Sequence, residues 1–252
     1  MDLRPYAGPL FHAGRPHAAL GDLLEQRDAL IELGPDGPPE VVLGVPHHAA
    51  AGVDRIAERS PSGGRVADEN AVLYALACLA DLRRLGIASS LVVAAHATDH
   101  DPNKHAASPY CRRILRRPCA ALLVECHGAS ARAPHDLEVS AGRNEHSRPL
   151  EFGRLLADFL GAGFHVAAQT RPGERAALVL DARPRSSPSV LRFPALRTGS
   201  LRFAAEQGIQ ALHVEAKPRF RRSTAGSGLT RSGRRLGHSL ARAIAAYLRA
   251  DS

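Results

Sequence analysis

Four short apolar runs constrain this chain more than anything else in it. They are Val41-Val42-Leu43-Gly44-Val45, Ser90-Leu91-Val92-Val93-Ala94-Ala95, Ala120-Ala121-Leu122-Leu123-Val124-Glu125-Cys126 and Ala211-Leu212-His213-Val214-Glu215. Each has the length of a strand, and almost none of the polar alternation that a solvent-facing sheet shows. Strands of this kind must be covered on both faces. Between them lie segments of helical periodicity. Residues 66–85 place Val66, Val72, Leu73, Leu76, Leu79 and Leu82 on a helical repeat, with Gly86 as a C-cap after Arg83-Arg84. Further helices are expected near 109–116, 149–161, 198–207 and 229–250, and shorter strands at 29–33, 164–168 and 177–180. The alternation gives an α/β fold, with three α/β/α layers around a central mixed, mostly parallel sheet. Residues 1–27, which hold Pro5, Pro9 and Pro16, read as an irregular N-terminal arm, and 229–250 as a closing helix. The most linker-like stretch, Arg183 to Ser189, is too short to divide the chain, so 1–252 is read as one domain.

Composition removes several alternatives. Of 252 residues, 44% are hydrophobic and 23% charged, which excludes general disorder. No run approaches the roughly 18 uncharged apolar residues of a membrane helix. Met1-Asp2-Leu3-Arg4-Pro5 lacks the layout of a secretory signal. Cys78, Cys111, Cys119 and Cys126 form no Cys-x-x-Cys pair, and are read as reduced thiols of a cytoplasmic protein. The net charge of +8 comes almost wholly from arginine; Lys104 and Lys217 are the only lysines. With aromatics at 4% and no Trp, stacking platforms for nucleic acid are poorly supplied. The clusters Arg112-Arg113 with Arg116-Arg117, Arg219 with Arg221-Arg222, and Arg231 with Arg234-Arg235 keep a basic nucleic-acid-binding protein as the non-enzyme alternative.

The polar residues that matter fall at strand ends. His47 and His48 follow the first apolar run, and His127 follows the third. Open α/β sheets bind their ligands beyond the carboxyl ends of strands. Asp68-Glu69-Asn70, at the expected helix start, offers a carboxylate. Two histidines and one carboxylate make a zinc set with a position left for water. Asp101-Pro102-Asn103-Lys104 follows the second run. Its Asn amide and Lys ammonium can bind a substrate carboxylate, or the segment is a solvated turn. Asp136 can orient a metal-bound imidazole from behind, or cap a turn. Glu215 ends an apolar strand, where a carboxylate is costly unless it is paired or functional. It is a general base beside a metal, or an ion-pair partner of Lys217 or Arg219.

Val45-Pro46-His47-His48, Asp68-Glu69-Asn70, Asp101-Pro102-Asn103-Lys104, His127-Gly128 with Asp136-Leu137, and His213-Val214-Glu215 occur in an order that resembles the N-formylglutamate amidohydrolases. The resemblance spans about residues 40–222. It implies a phosphorylase/hydrolase-like sheet shared with zinc carboxypeptidases and aspartoacylase-like deacylases. It further implies one zinc ion on His47, Glu69 and His127, with Asp68 as the alternative to Glu69 and His48 to His47. Asn103 and Lys104 would then clamp the substrate carboxylate, and Glu215 would be the general base. The implied reaction is hydrolysis of an amide C–N bond in a small N-acylated amino acid or short peptide-like substrate. A carboxypeptidase-like peptidase or deacylase is the alternative. Three departures stand out: Lys104 where Arg is usual, His48 in place of a small residue, and His213-Val214 where Gln-Leu is usual.

Overall fold

The computed structural model describes residues 30–35, 37–49, 68–69, 71–95, 102–104, 106–115, 120–129, 131, 133–161, 163–169, 177–181, 199–221, 223–224 and 228–250. In chain order the elements are β1 (Leu30–Leu33), β2 (Val41–Ala49), β3 (Asp68–Glu69), α1 (Ala71–Arg84), β4 (Ser89–Ala95), α2 (Pro109–Leu115), β5 (Leu122–Gly128), β6 (Leu137–Ser140), α3 (Pro149–Leu160), β7 (His165–Gln169), β8 (Ala177–Asp181), α4 (Gly199–Glu206), β9 (Gln210–Ala216), a 3-10 turn at Pro218–Phe220, the short pair β10 (Ser223–Thr224) and β11 (Gly228–Leu229), and α5 (Arg231–Arg249). The expected arm 1–27 and the stretch Arg183–Ser189 lie outside the described residues.

Alternate residues of the central strands face different helices, because successive strand side chains point to opposite faces. Leu43, Val45, Leu91, Val93, Leu122, Val124, Leu212 and Val214 belong to one core, shared with Tyr74 and Leu76 of α1, Phe152 of α3 and Leu240, Ile244 and Tyr247 of α5. Val42, Val92, Ala94, Leu123 and Ala211 belong to another, shared with Tyr110, Cys111 and Ile114 of α2 and Leu201, Phe203 and Ala204 of α4. The three-layer α/β/α arrangement follows. Helix α1 is buried on every side from Ala71 to Leu82, as a helix apolar all round must be. It meets α5 at close range. A Cβ on Gly237 would lie 2.5 Å from the Ala77 Cβ and 2.8 Å from the Tyr74 carbonyl oxygen, so only glycine lets these helices meet here. At the start of α5, the Thr230 side chain caps the helix by accepting from the Gly233 N–H.

Among the described residues, nine strands form one sheet in the order β1-β4-β2-β5-β9-β6-β8-β7, with β3 paired to β2. The central pairings β4-β2, β2-β5 and β5-β9 are parallel, as is β2-β3. The flanking pairings β1-β4, β9-β6, β6-β8 and β8-β7 are antiparallel. The sheet is therefore mixed, and the expected parallel majority holds only at its centre. The reason is chain length. Residues 129–136 between β5 and β6 are too few for a parallel crossover, which needs a dozen or more, so β6 runs back against β9. From β2 the chain moves to β4 on one side, and from β5 it moves away on the other. The carboxyl ends of β2 and β5 thus flank a topological switch point, where open α/β sheets bind ligands.

The helix expected from residue 66 begins at Ala71. Asp68 and Glu69 form β3 instead, in parallel register with His48 and Ala49. A strand pairing has displaced the first helical turn.

Candidate metal centre at the strand ends

On the face covered by α2 and α4, the apolar stripe turns polar toward the carboxyl ends. Glu125 and His127 of β5 stand beside His213 and Glu215 of β9, in register Glu125 to His213 and His127 to Glu215. On the far side of β9, Glu138 is opposite Glu215, and Ser140 is opposite His213. All six are buried. A two-residue spacing keeps each pair on one face, and parallel register brings the pairs together.

His47 joins this group from β2, whose register with β4 slips between Val45 and His48. Such irregularities re-aim side chains and suit a strand containing Pro46, which has no N–H for the ladder. The Asp68 carboxylate lies between two imidazoles. Its Oδ2 is 3.1 Å from Nδ1 of His127 and 3.5 Å from Nδ1 of His47. The His127 ring centroid is 5.0 Å from that of His47 and 4.2 Å from that of His213. Beneath it, the buried Tyr74 hydroxyl is 3.0 Å from the His127 carbonyl and 3.3 Å from that of Val214, tying α1 to both strand ends. Burial raises the pKa of Asp68, but hydrogen bonds to His127 and His47 outweigh it and hold the carboxyl well below the usual range. Burial opposes a charged His127, yet hydrogen bonds to Asp68 and Glu125 push it well above the ordinary imidazole value.

Glu215 is 6% exposed. Its Oε1 is 3.6 Å from Nε2 of His213, while Oε2 has no hydrogen-bond partner among the described residues. Burial pushes its pKa up to about 8, with His127 opposing and Asp68 and Glu138 adding to the rise. The cations that could have paired with it are engaged at Asp136, whose carboxylate is 3.7 Å from Lys217 Nζ and 3.0 Å from Arg219 Nη2. Asp136 also donates its backbone N–H to Asp181, which holds His135 at 2.8 Å. Glu125, not Asp136, is the carboxylate nearest Nε2 of His127 here, with its Oε2 at 3.5 Å.

Asn103 is buried and gives its Nδ2 to Glu125 Oε2 at 3.4 Å, while its Oδ1 has no partner among the described residues. Its carbonyl accepts from the Ser200 N–H, which seats the turn on the start of α4. Lys104 is half-buried on the same turn. The side chains of His48 and Glu69 lie outside the described residues. From sequence alone, Glu125 and His213 are assigned no role. Their signal was Glu-x-His and His-x-Glu inside otherwise apolar runs.

Among the described residues, two donor sets can hold a metal ion: His47, Asp68 and His127, and also His127, His213 and Glu215. Within each set the ligand atoms lie within 4.8 Å of one another, and all are buried. Two imidazoles and a carboxylate suit zinc, and the buried Glu215 oxygen without a partner among the described residues is a polar group that calls for a ligand or water. The residues fit a divalent ion.

No protein-family model matches this sequence, and no curated protein does. Among solved structures the chain is similar to a bacteriophage poly-gamma-glutamate hydrolase, at 14% identity over 88% of this chain and 90% of that one, with a TM-score of 0.44. It is also similar to the N-formylglutamate amidohydrolase of Ralstonia eutropha JMP134, at 13% identity over 88% and 99%, with a TM-score of 0.46. A metallo-carboxypeptidase from Pseudomonas aeruginosa is 12% identical over 90% of this chain, which spans 62% of that protein, with a TM-score of 0.46.

Proposed function

We propose that this chain is a metal-dependent hydrolase that cleaves an amide C–N bond of a small N-acylated amino acid. The observation that carries the reading is the convergence of His47, Asp68 and His127 beside Glu215 at the switch point of the sheet. We assign Asp68 as the acidic ligand, because its carboxylate lies between the two imidazoles. A zinc ion on these three residues would supply Lewis acidity for attack on the carbonyl.

The remaining work belongs to the chain. Glu215 takes a proton from the attacking water on its unpartnered Oε2 and returns it to the leaving amine. Asn103 and Lys104 orient the substrate through its carboxylate, so that the scissile bond reaches Glu215 in one pose. The order of the sequence motifs supports an N-formylglutamate-like substrate.

The nucleic-acid reading loses part of its surface. Arg113 pairs with Glu32, and Arg221 is buried, donating to the carbonyls of Ala216 and Ala129. Among the described residues no helix is long and apolar enough to cross a membrane. Cys78, Cys111 and Cys126 are buried free thiols, with Cys126 pushed by burial up to about 12. Thiols buried in this way are unreactive.

The test is elemental analysis of the purified protein alongside hydrolysis of N-formylglutamate and other N-acyl amino acids. We expect one divalent ion per chain, and turnover that a chelator abolishes and added zinc restores. Metal-free protein with full turnover would contradict the proposal.

A further inference from the structure

We infer that Glu125 positions His127 and that, through one carboxylate oxygen, it couples this ligand to the substrate-facing turn at Asn103. The inference rests on the metal reading above.

Glu125 is 0% exposed, in the middle of a central strand. A carboxylate there is costly unless its oxygens are satisfied, and an apolar residue would avoid the cost. Both oxygens are used. Oε1 accepts from the Tyr110 hydroxyl at 2.9 Å. Oε2 is 3.4 Å from Asn103 Nδ2 and 3.5 Å from His127 Nε2. Burial, and next the charge of Glu125, raise Tyr110 well above the usual phenol value, which keeps its hydroxyl a donor.

The neighbouring strand makes room for this arrangement. Gly44 is the register partner of Glu125, and a Cβ there would lie 2.1 Å from the Tyr110 hydroxyl. Tyr110 therefore reaches Glu125 across a space that only glycine leaves open.

The two nitrogens of His127 are thus divided. Nδ1 faces Asp68 and the His47 side of the site, and Nε2 faces Glu125. An imidazole ligand is fixed in tautomer and rotation by the bond its other nitrogen donates, and a carboxylate acceptor also raises its basicity. The oxygen that sets His127 also receives the amide of Asn103. A change at Glu125 must then disturb metal affinity and substrate binding together, whereas Asp136, held by Lys217 and Arg219, should affect neither strongly.

Glu125→Gln keeps an acceptor for Tyr110 but presents N–H groups to Asn103 and His127. We expect zinc affinity, measured by chelator competition, to fall about 10–100-fold. The visible spectrum of the cobalt-substituted protein should shift, and KM should rise. Asp136→Asn should leave zinc affinity within about twofold of the parent, as suits a partly exposed ion pair. If the Gln variant does not fold, Tyr110→Phe removes a single hydroxyl and should still weaken zinc binding, by at most about tenfold. Stoichiometric zinc in the parent, with unchanged affinity and cobalt spectrum in the folded variant, would overturn this inference alone. A parent chain that binds no zinc would overturn the metal reading and this inference with it.

Discussion

The two faces of the central sheet are built from the same strands and meet opposite demands. On the α1–α3–α5 face, Leu122, Val124 and Cys126 of β5 and Leu212, Val214 and Ala216 of β9 are apolar to the last residue. On the α2–α4 face, the intervening positions run Leu123, Glu125, His127 and Ala211, His213, Glu215. The first face is closed by three helices and serves only packing. The second is apolar at the start of each strand and charged at its end, so that one stripe carries both core and chemistry. Substitutions one residue apart should therefore fail in different ways.

The largest effect is expected at Glu215. Glu215→Gln preserves volume but cannot take up a proton, so kcat should fall by about 10²–10⁴-fold while bound metal and melting temperature hold. Near-normal turnover in a metal-loaded variant would remove the base from the site face.

Next is its counterpart on the packing face. Leu212→Ala, at a fully buried position, should cost about 2–5 kcal/mol in denaturant unfolding, with turnover per folded molecule kept. Lost turnover at unchanged stability would erase the distinction between the faces.

Smaller again is Lys104→Ala. Loss of one charge-assisted hydrogen bond should weaken a carboxylate-bearing substrate by about 1.5–3 kcal/mol and spare its amide analogue. Equal effects on both substrates would show that Lys104 reads no carboxylate. Asp136→Asn should be the mildest, lowering stability by no more than about 1 kcal/mol through its pairs with Lys217 and Arg219.

These residues also show what sequence alone makes legible. The both-face apolar runs gave the layers, because hydrophobic parity is local. His47, His127, Asn103 and Glu215 stood out because strand ends can be located without knowing which strands are neighbours. Register is different. That Glu125 faces His213, and Glu138 faces Glu215, depends on pairing between segments far apart in the chain. That Asp68 and Glu69 form a strand beside β2, and not the first turn of a helix, likewise depends on pairing with a distant segment and runs against local periodicity. Strand β6, Leu137-Glu138-Val139-Ser140, is too short and too polar at alternate positions to give a local strand signal; pairing with β9 makes it one and sets Glu138 opposite Glu215.

The central claim is that His47, Asp68 and His127 hold one divalent ion. Metal content of the parent protein, His127→Ala, Asp68→Asn and Glu69→Gln, each purified identically and confirmed as folded, tests it most directly. We expect one equivalent in the parent and in Glu69→Gln, with sharply reduced metal in the other two. Full occupancy in His127→Ala or Asp68→Asn, or loss in Glu69→Gln alone, would contradict the account.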